Sequence, residues 1–169
     1  MEPVSIEVDG RYSAPDGTAP AWTEIEAALR EAEVYAPTTV MEDGSPHTVP
    51  VAGIWTDDGF VFCTGEMEQK VKNLNASPKA SLHIGSNEFM TGMDVIARGE
   101  FEKVTDKASL ENLAEGLHGK YPEFFHFTVT DGALLNAHDN RALVFRMAPA
   151  VVHVFTRGEN TVQARYRFE

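Results

Sequence analysis

Phe62–Leu82 reads FCTGEMEQKVKNLNASPKASL. A strand runs into Thr64–Gly65, a short helix carries Lys70, Lys72 and Asn73, and Pro78 restarts a strand. Val71 and Leu74, three apart, form the buried stripe of that helix. Backbone N–H groups left free at a helix start, with a lysine in the first turn, can hold an anion such as a phosphate. On these residues alone two readings stay open: an anion site at Lys70, or two solvated lysines on a surface helix. Glu66 and Glu68 suit a helix N-terminus electrostatically but would repel a phosphate placed there.

Working outward, the preceding segment reads as hairpins. Val34–Met41 is strand-like, Glu42-Asp43-Gly44-Ser45 carries turn chemistry, and Pro46–Thr56 is strand-like again. Pro50 cannot donate to a ladder, so this strand is expected at a sheet edge or bulged there, with nearby backbone free to meet a ligand. Asp57-Asp58-Gly59 makes the next turn, and Phe60–Thr64 alternates Phe60, Phe62 and Thr64 against Val61 and Cys63. Further upstream, Trp22, Ile25, Leu29 and Ala32 recur at helical spacing. The pair Thr23 and Glu26 predicts a capping box, with the helix fading by Glu33. Residues 1–21, rich in Gly, Pro, Asp and Ala, read as a flexible N-terminal arm with a short strand at Val4–Val8. The remaining 22–169 form one domain.

Downstream, Lys79–Ile84 is a strand, Ser86–Met93 a loop holding Asn87, and Asp94–Val104 a long strand. Gly99 in that strand marks a bulge or a close approach. Asp106 predicts a helix cap, Leu110, Leu113, Ala114 and Leu117 its core stripe, and Gly119 its end. Ala142–Phe155 is a strand pair or one strand bent at Pro149, and Thr161–Phe168 a final strand. Strands and hairpins with two substantial helices predict an antiparallel barrel with helices packed outside it.

A net charge of -12, from 26 acids against 14 bases, argues against nucleic acid or an anionic membrane as partner. A few local cations still outweigh that field at contact distance, so a small phosphorylated ligand remains compatible. One cysteine, Cys63, rules out an internal disulfide and reads as a core filler. With no signal-like N-terminus and no spanning apolar run, the expectation is a cytoplasmic chain. The six histidines show no HxxxH or HxH spacing, so no metal site is expected. Neither a dinucleotide fingerprint, a P-loop nor a nucleophile elbow occurs.

The ordered set of motifs nevertheless resembles a known family. Asp43-Gly44-Ser45-Pro46-His47, Pro50-Val51, Thr64-Gly65, Lys70-Val71-Lys72-Asn73-Leu74 and Pro78 stand in the order found in the pyridoxamine 5'-phosphate oxidase-like flavoproteins. The likeness continues through Gly92-Met93-Asp94-Val95, Gly99, Val104-Thr105-Asp106 and the terminal Gln163–Phe168, so it spans the domain. It is nearer to the branch whose members use FMN or the deazaflavin F420 than to the biosynthetic oxidase.

The resemblance implies a mainly β (α+β) fold, an antiparallel six-stranded split β-barrel with flanking helices. It also implies a homodimer with cofactor sites at the interface. One subunit would bring Lys70 to a phosphate, with Thr64, Gly65, Gln69 and Asn73 nearby. His47, Thr48, Val49, Pro50 and Val51 would lie along the ring of FMN or, alternatively, coenzyme F420. The second subunit would contribute Asn87 and Arg165. The implied activity is hydride transfer between the cofactor and a small organic substrate, with no obligatory side-chain acid or base. The alternative is a non-catalytic FMN- or haem-binding protein, or a small-molecule binder, on the same barrel. Gln69 stands where the biosynthetic oxidase has arginine, and QARYRFE lacks that enzyme's C-terminal arginine and histidine pattern. Both departures argue against pyridoxamine 5'-phosphate as the substrate. Phe89 stands where close relatives often carry tryptophan, which alters ring stacking.

Overall fold

The computed structural model describes residues 1–168. Its elements are β1 (Ser5–Val8), α1 (Trp22–Glu31), β2 (Ala36–Val40), β3 (Pro46–Thr48), β4 (Ile54–Thr56), β5 (Gly59–Gly65) and α2 (Gln69–Ala76). Then follow β6 (Lys79–Ile84), β7 (Gly92–Val104), α3 (Lys107–Lys120), β8 (Thr128–Thr130), β9 (Ala133–Leu135), β10 (Arg141–Arg157) and β11 (Val162–Arg167). All strand pairs are antiparallel, in the order β1-β11-β10-β7-β6-β2-β3, with β4-β5 and β8-β9 joining through β10. This is the split-barrel architecture, with three helices packed on it.

β10 organises the sheet. One edge pairs with β7 from Val144 to Arg157. The other edge pairs with β5 over Ala142–Met147 and with β11 over Val151–Thr156. Between these halves the register slips, because Ala150 is an extra residue opposite the Gly99–Arg98 step. So Ala142–Phe155 is one strand, irregular beside Pro149. Gly99 is a close-approach site: a Cβ there would lie 2.4 Å from the Ala148 carbonyl oxygen. The bulge itself sits on the partner strand.

β5 is apolar on both faces because each face meets a different core. Phe60 and Phe62 enter the main core with Trp22, Tyr35, Trp55, Phe101, Phe145 and Tyr166. Val61 faces a smaller cluster under α3, with Ile54, Leu110, Leu117 and Leu134. Phe62 stacks on Phe145 at 5.8 Å and meets Phe101 edge-on at 5.3 Å.

Several boundaries differ from the sequence reading. α1 starts at Trp22, and the Glu24 carboxylate accepts the Ala21 N–H at 3.0 Å. Thr23 therefore lies inside the helix, and Glu26 pairs with Arg30 instead. Pro46–Thr56 is not one strand: after Thr48 the chain leaves the ladder, held to β2 and the residue before it by Val49 N–H donating to Pro37 O at 3.3 Å and by the Tyr35–Val51 bridge. β3 ends the main strand path, as Pro50 predicts. Asp106 does cap α3, accepting from Ser109 N–H at 2.9 Å. Gly119 does not end α3, which continues to Lys120. The Lys120 ammonium is tied to Ala32 O at 2.6 Å and Tyr35 Oη at 2.9 Å, so tertiary bonds fix that helix end. Residues 1–21 carry β1, which pairs with β11. Among the described residues no helix is long and apolar enough to cross a membrane.

Candidate functional site

β5 runs directly into the turn that starts α2, and this junction gathers most of the candidate residues. Thr64 and Gly65 end the strand, Glu68 occupies the N-cap, and Gln69 and Lys70 open the helix. Lys70 and Lys72 point to opposite sides, since two residues on a helix turn through about 200°. Lys70 is buried together with Val71, Asn73 and Leu74, while Lys72 is exposed. The open choice at this helix resolves into one buried lysine and one solvated one.

The buried ammonium is not alone. Lys70 Nζ donates to Glu68 Oε2, and Gly65 N–H donates to Glu68 Oε1 at 3.2 Å. Burial alone would raise the Glu68 carboxyl. The Lys70 ammonium, the adjacent Thr64 hydroxyl and the Gly65 N–H outweigh it and hold Glu68 below the usual carboxylate range. Thr64 Oγ1 is itself buried with no partner in hydrogen-bonding geometry. An unsatisfied buried hydroxyl is costly, so a partner for it is expected.

A second chain of bonds ties α2 to the β2–β3 hairpin. Gln69 Nε2 donates to Asn73 Oδ1 at 2.8 Å, and Asn73 Nδ2 donates to Thr39 Oγ1 at 2.9 Å. Thr39 Oγ1 in turn donates to the His47 carbonyl at 3.4 Å. Gln69 and Asn73 are thus tied to the ring candidate His47, while Lys70 and Gly65 belong to the Glu68 set. Thr39 was missed in the sequence. Its signal was a hydroxyl on the inward face of β2, where alternation otherwise calls for an apolar side chain. His47 Nδ1 is buried without a partner, and the Thr38 and Thr48 hydroxyls meet at 2.7 Å. Val49 and Val51 are half-buried and Pro50 is exposed, in the segment that leaves the ladder.

Asn87 and Arg165 are not brought to this junction. Asn87 is exposed in the β6–β7 loop beside Phe89, which is 86% exposed. The base of that loop is held by Arg157, which pairs with Asp94 and donates to Thr91 O at 3.2 Å. Arg165 lies on β11, with β10, β7 and β6 between it and β2. It pairs with Glu7, and its Nε is buried without a partner. Burial and the nearby Arg98, Arg165 and Arg167 push the neighbouring His153 below the usual histidine range. A cavity of about 560 Å³ between α3 and the β8–β9 region, lined in part by Glu115, His118, Phe125 and Phe127, shares no residue with the junction.

An oxyanion fits the donor set here, since the Lys70 ammonium and Gly65 N–H already meet on one carboxylate and the Thr64 hydroxyl lies beside it. That position and its neighbours fall within residues 21–153, which match the family model described as pyridoxamine 5'-phosphate oxidase. The chain belongs to the pyridoxamine 5'-phosphate oxidase family. Solved structures share the split barrel at low identity. A conserved hypothetical protein of Mycobacterium tuberculosis matches with TM-score 0.69 and 18% identity, over 85% of this chain and 88% of that one. The FAD binding protein of Mycobacterium smegmatis matches with TM-score 0.55 and 18% identity, over 89% and 97%. An F420 reductase matches with TM-score 0.55 and 18% identity, over 75% and 94%. No curated protein matches the chain.

For a member of the pyridoxamine 5'-phosphate oxidase family, the span of the match is informative. It contains every candidate residue except Arg165, which lies beyond residue 153. Cys63, next to Thr64, is not a nucleophile candidate: burial pushes its thiol up to about 12.

Proposed function

We propose that this pyridoxamine 5'-phosphate oxidase-family chain is a homodimeric oxidoreductase that binds FMN, with coenzyme F420 as the alternative cofactor. The single observation that carries the reading is the buried Lys70 ammonium beside the unpartnered Thr64 hydroxyl at the start of α2. Lys70, Thr64 and Gly65 would hold the phosphate. Gln69 and Asn73 would brace the helix against β2, and His47–Val51 would border the ring. Asn87 and Arg165 would come from the second copy, because one chain leaves both far from the junction.

When bound, the flavin or deazaflavin ring supplies two-electron hydride chemistry toward a small organic substrate. The chain's own residues bind, orient and shield the cofactor, and no side chain is assigned as an acid or base. With a net charge of -12, binding of an anionic cofactor would rest on local cations such as Lys70 rather than on the overall field. The structures of an FAD binding protein and an F420 reductase on the same barrel support a flavin-type ligand.

The deciding experiment titrates the protein with FMN and then F420 and follows absorbance and fluorescence. Lys70→Ala is expected to weaken binding by about 1.5–3 kcal/mol, the range for a hydrogen bond to a charged group. Unchanged affinity for both cofactors in that variant would sink the assignment.

A further inference from the structure

We propose that Glu68 is a built-in competitor for the cofactor phosphate, its carboxylate resting in the seat the phosphate must take. The inference rests on the cofactor reading above and concerns regulation of the same site.

Both carboxylate oxygens are engaged, Oε1 by Gly65 N–H at 3.2 Å and Oε2 by the Lys70 ammonium. These are the two charged or backbone donors that an incoming phosphate needs. The Thr64 hydroxyl stands beside them, 95% buried and unsatisfied. The Glu68 carboxylate lies near the Thr64 hydroxyl without meeting it in hydrogen-bonding geometry, whereas a tetrahedral phosphate has a third oxygen to offer it.

The two partners differ in freedom. The Glu68 side chain is 53% exposed, and the Lys70 side chain 9%. Glu68 can therefore swing into water while Lys70 stays, and the seat opens without moving α2. The helix does not depend on the carboxylate, since Glu68 makes no side-chain cap bond and its carbonyl accepts from Val71 N–H at 3.0 Å. Two anions facing one ammonium repel each other, so phosphate binding includes the displacement of Glu68. The donor set thus grips phosphate less tightly than its composition allows, and the cofactor is exchangeable rather than permanently held. A flavin lacking the phosphate does not meet this competition.

Titration of the full chain with FMN, riboflavin and F420, read by flavin or deazaflavin fluorescence, tests this. Glu68→Gln keeps an acceptor for Gly65 and removes the charge. It is expected to bind FMN about tenfold more tightly, the worth of one charge-assisted contact, with riboflavin unchanged. A gain confined to F420 supports the same role for Glu68 with the deazaflavin as the ligand. No gain with either cofactor, while Lys70→Ala still weakens binding, overturns the Glu68 inference and leaves the cofactor reading standing. If Lys70→Ala changes nothing, the cofactor reading fails first and takes the inference with it. The wild-type chain supplies an independent measurement. The Gly65 amide resonance should move on addition of FMN and stay put with riboflavin, and an equal response to both also overturns the proposal.

Discussion

The Glu68 carboxylate, paired with Lys70, can be followed apart from any ligand. The Glu68 carboxyl is held below its ordinary value of 4.5, although burial opposes the shift. A carboxyl depressed in the folded state adds stability above its unfolded pKa and loses it as pH falls through the folded pKa. The stability advantage of wild type over Glu68→Gln is therefore expected to be full near neutral pH. It should shrink as the solution is acidified below 4.5, as measured by urea unfolding at several pH values. A gap that stays constant down to about pH 3 would contradict the pairing. The sequence made the pair visible only as a conflict. Glu66 and Glu68 looked unfavourable for an anion site, and spacing could not tell that Glu68 turns inward onto Lys70. Rotamer choice at an N-cap depends on tertiary neighbours, here the end of β5. Lys70 against Lys72 was legible in principle from the helical period, since Val71 and Leu74 define the buried side.

At the level of elements, the strands that alternate cleanly were readable and those that break rules were not. Lys79–Ile84 and the β5 pattern follow from period two, and α1 from the spacing of Trp22, Ile25 and Leu29. The helix ends were set by contacts that the local sequence does not encode. Ala21 caps α1, which starts at Trp22, because Glu24 reaches back to its N–H, and α3 outruns Gly119 because Lys120 is bound to the end of α1 and the β4 approach. Gly99 gives the sharpest test at this scale. Its missing Cβ lets β7 approach the Ala148 carbonyl where β10 slips register. Gly99→Val is expected to destabilise the chain by about 1–3 kcal/mol or more, as overpacking does, by urea or thermal unfolding. A loss under about 0.5 kcal/mol, as at an ordinary surface position, would mean the strands part without strain.

For the whole molecule, the barrel was legible through the order of several moderately specific motifs, while the proposed two-copy assembly lies outside a single chain. The outer face of the sheet carries Arg165, His153, Ile96 and His83 in one register row. His153 and Ile96 in that row are only half-buried. A second copy on this face would cover Ile96 and could bring Asn87 and Arg165 to the first copy's α2. Light scattering of the purified chain is expected to give twice the monomer mass. Ile96→Glu, which places a charge in the middle of that face, should yield monomers that bind FMN at least about tenfold more weakly. A monomeric wild-type chain with full cofactor affinity would refute the two-copy site.

The double duty of β10 also fixes when the chain can fold. Its partners are drawn from both directions, β5 and β7 from earlier residues and β11 from the last ones, and β11 in turn receives β1 from the beginning. Until Arg141–Arg157 has left the ribosome, β5 and β7 have hairpin neighbours but no strand to join them across the barrel. The N-terminal strand has nothing to dock on until Val162–Arg167 emerges. Such long-range pairing is slow, on the order of milliseconds to seconds for β-rich domains. Phe60, Phe62 and Phe101 thus lack their β10 partners Phe145 and Met147 until that strand emerges. Barrel closure therefore waits for β11, which joins β10 to β1.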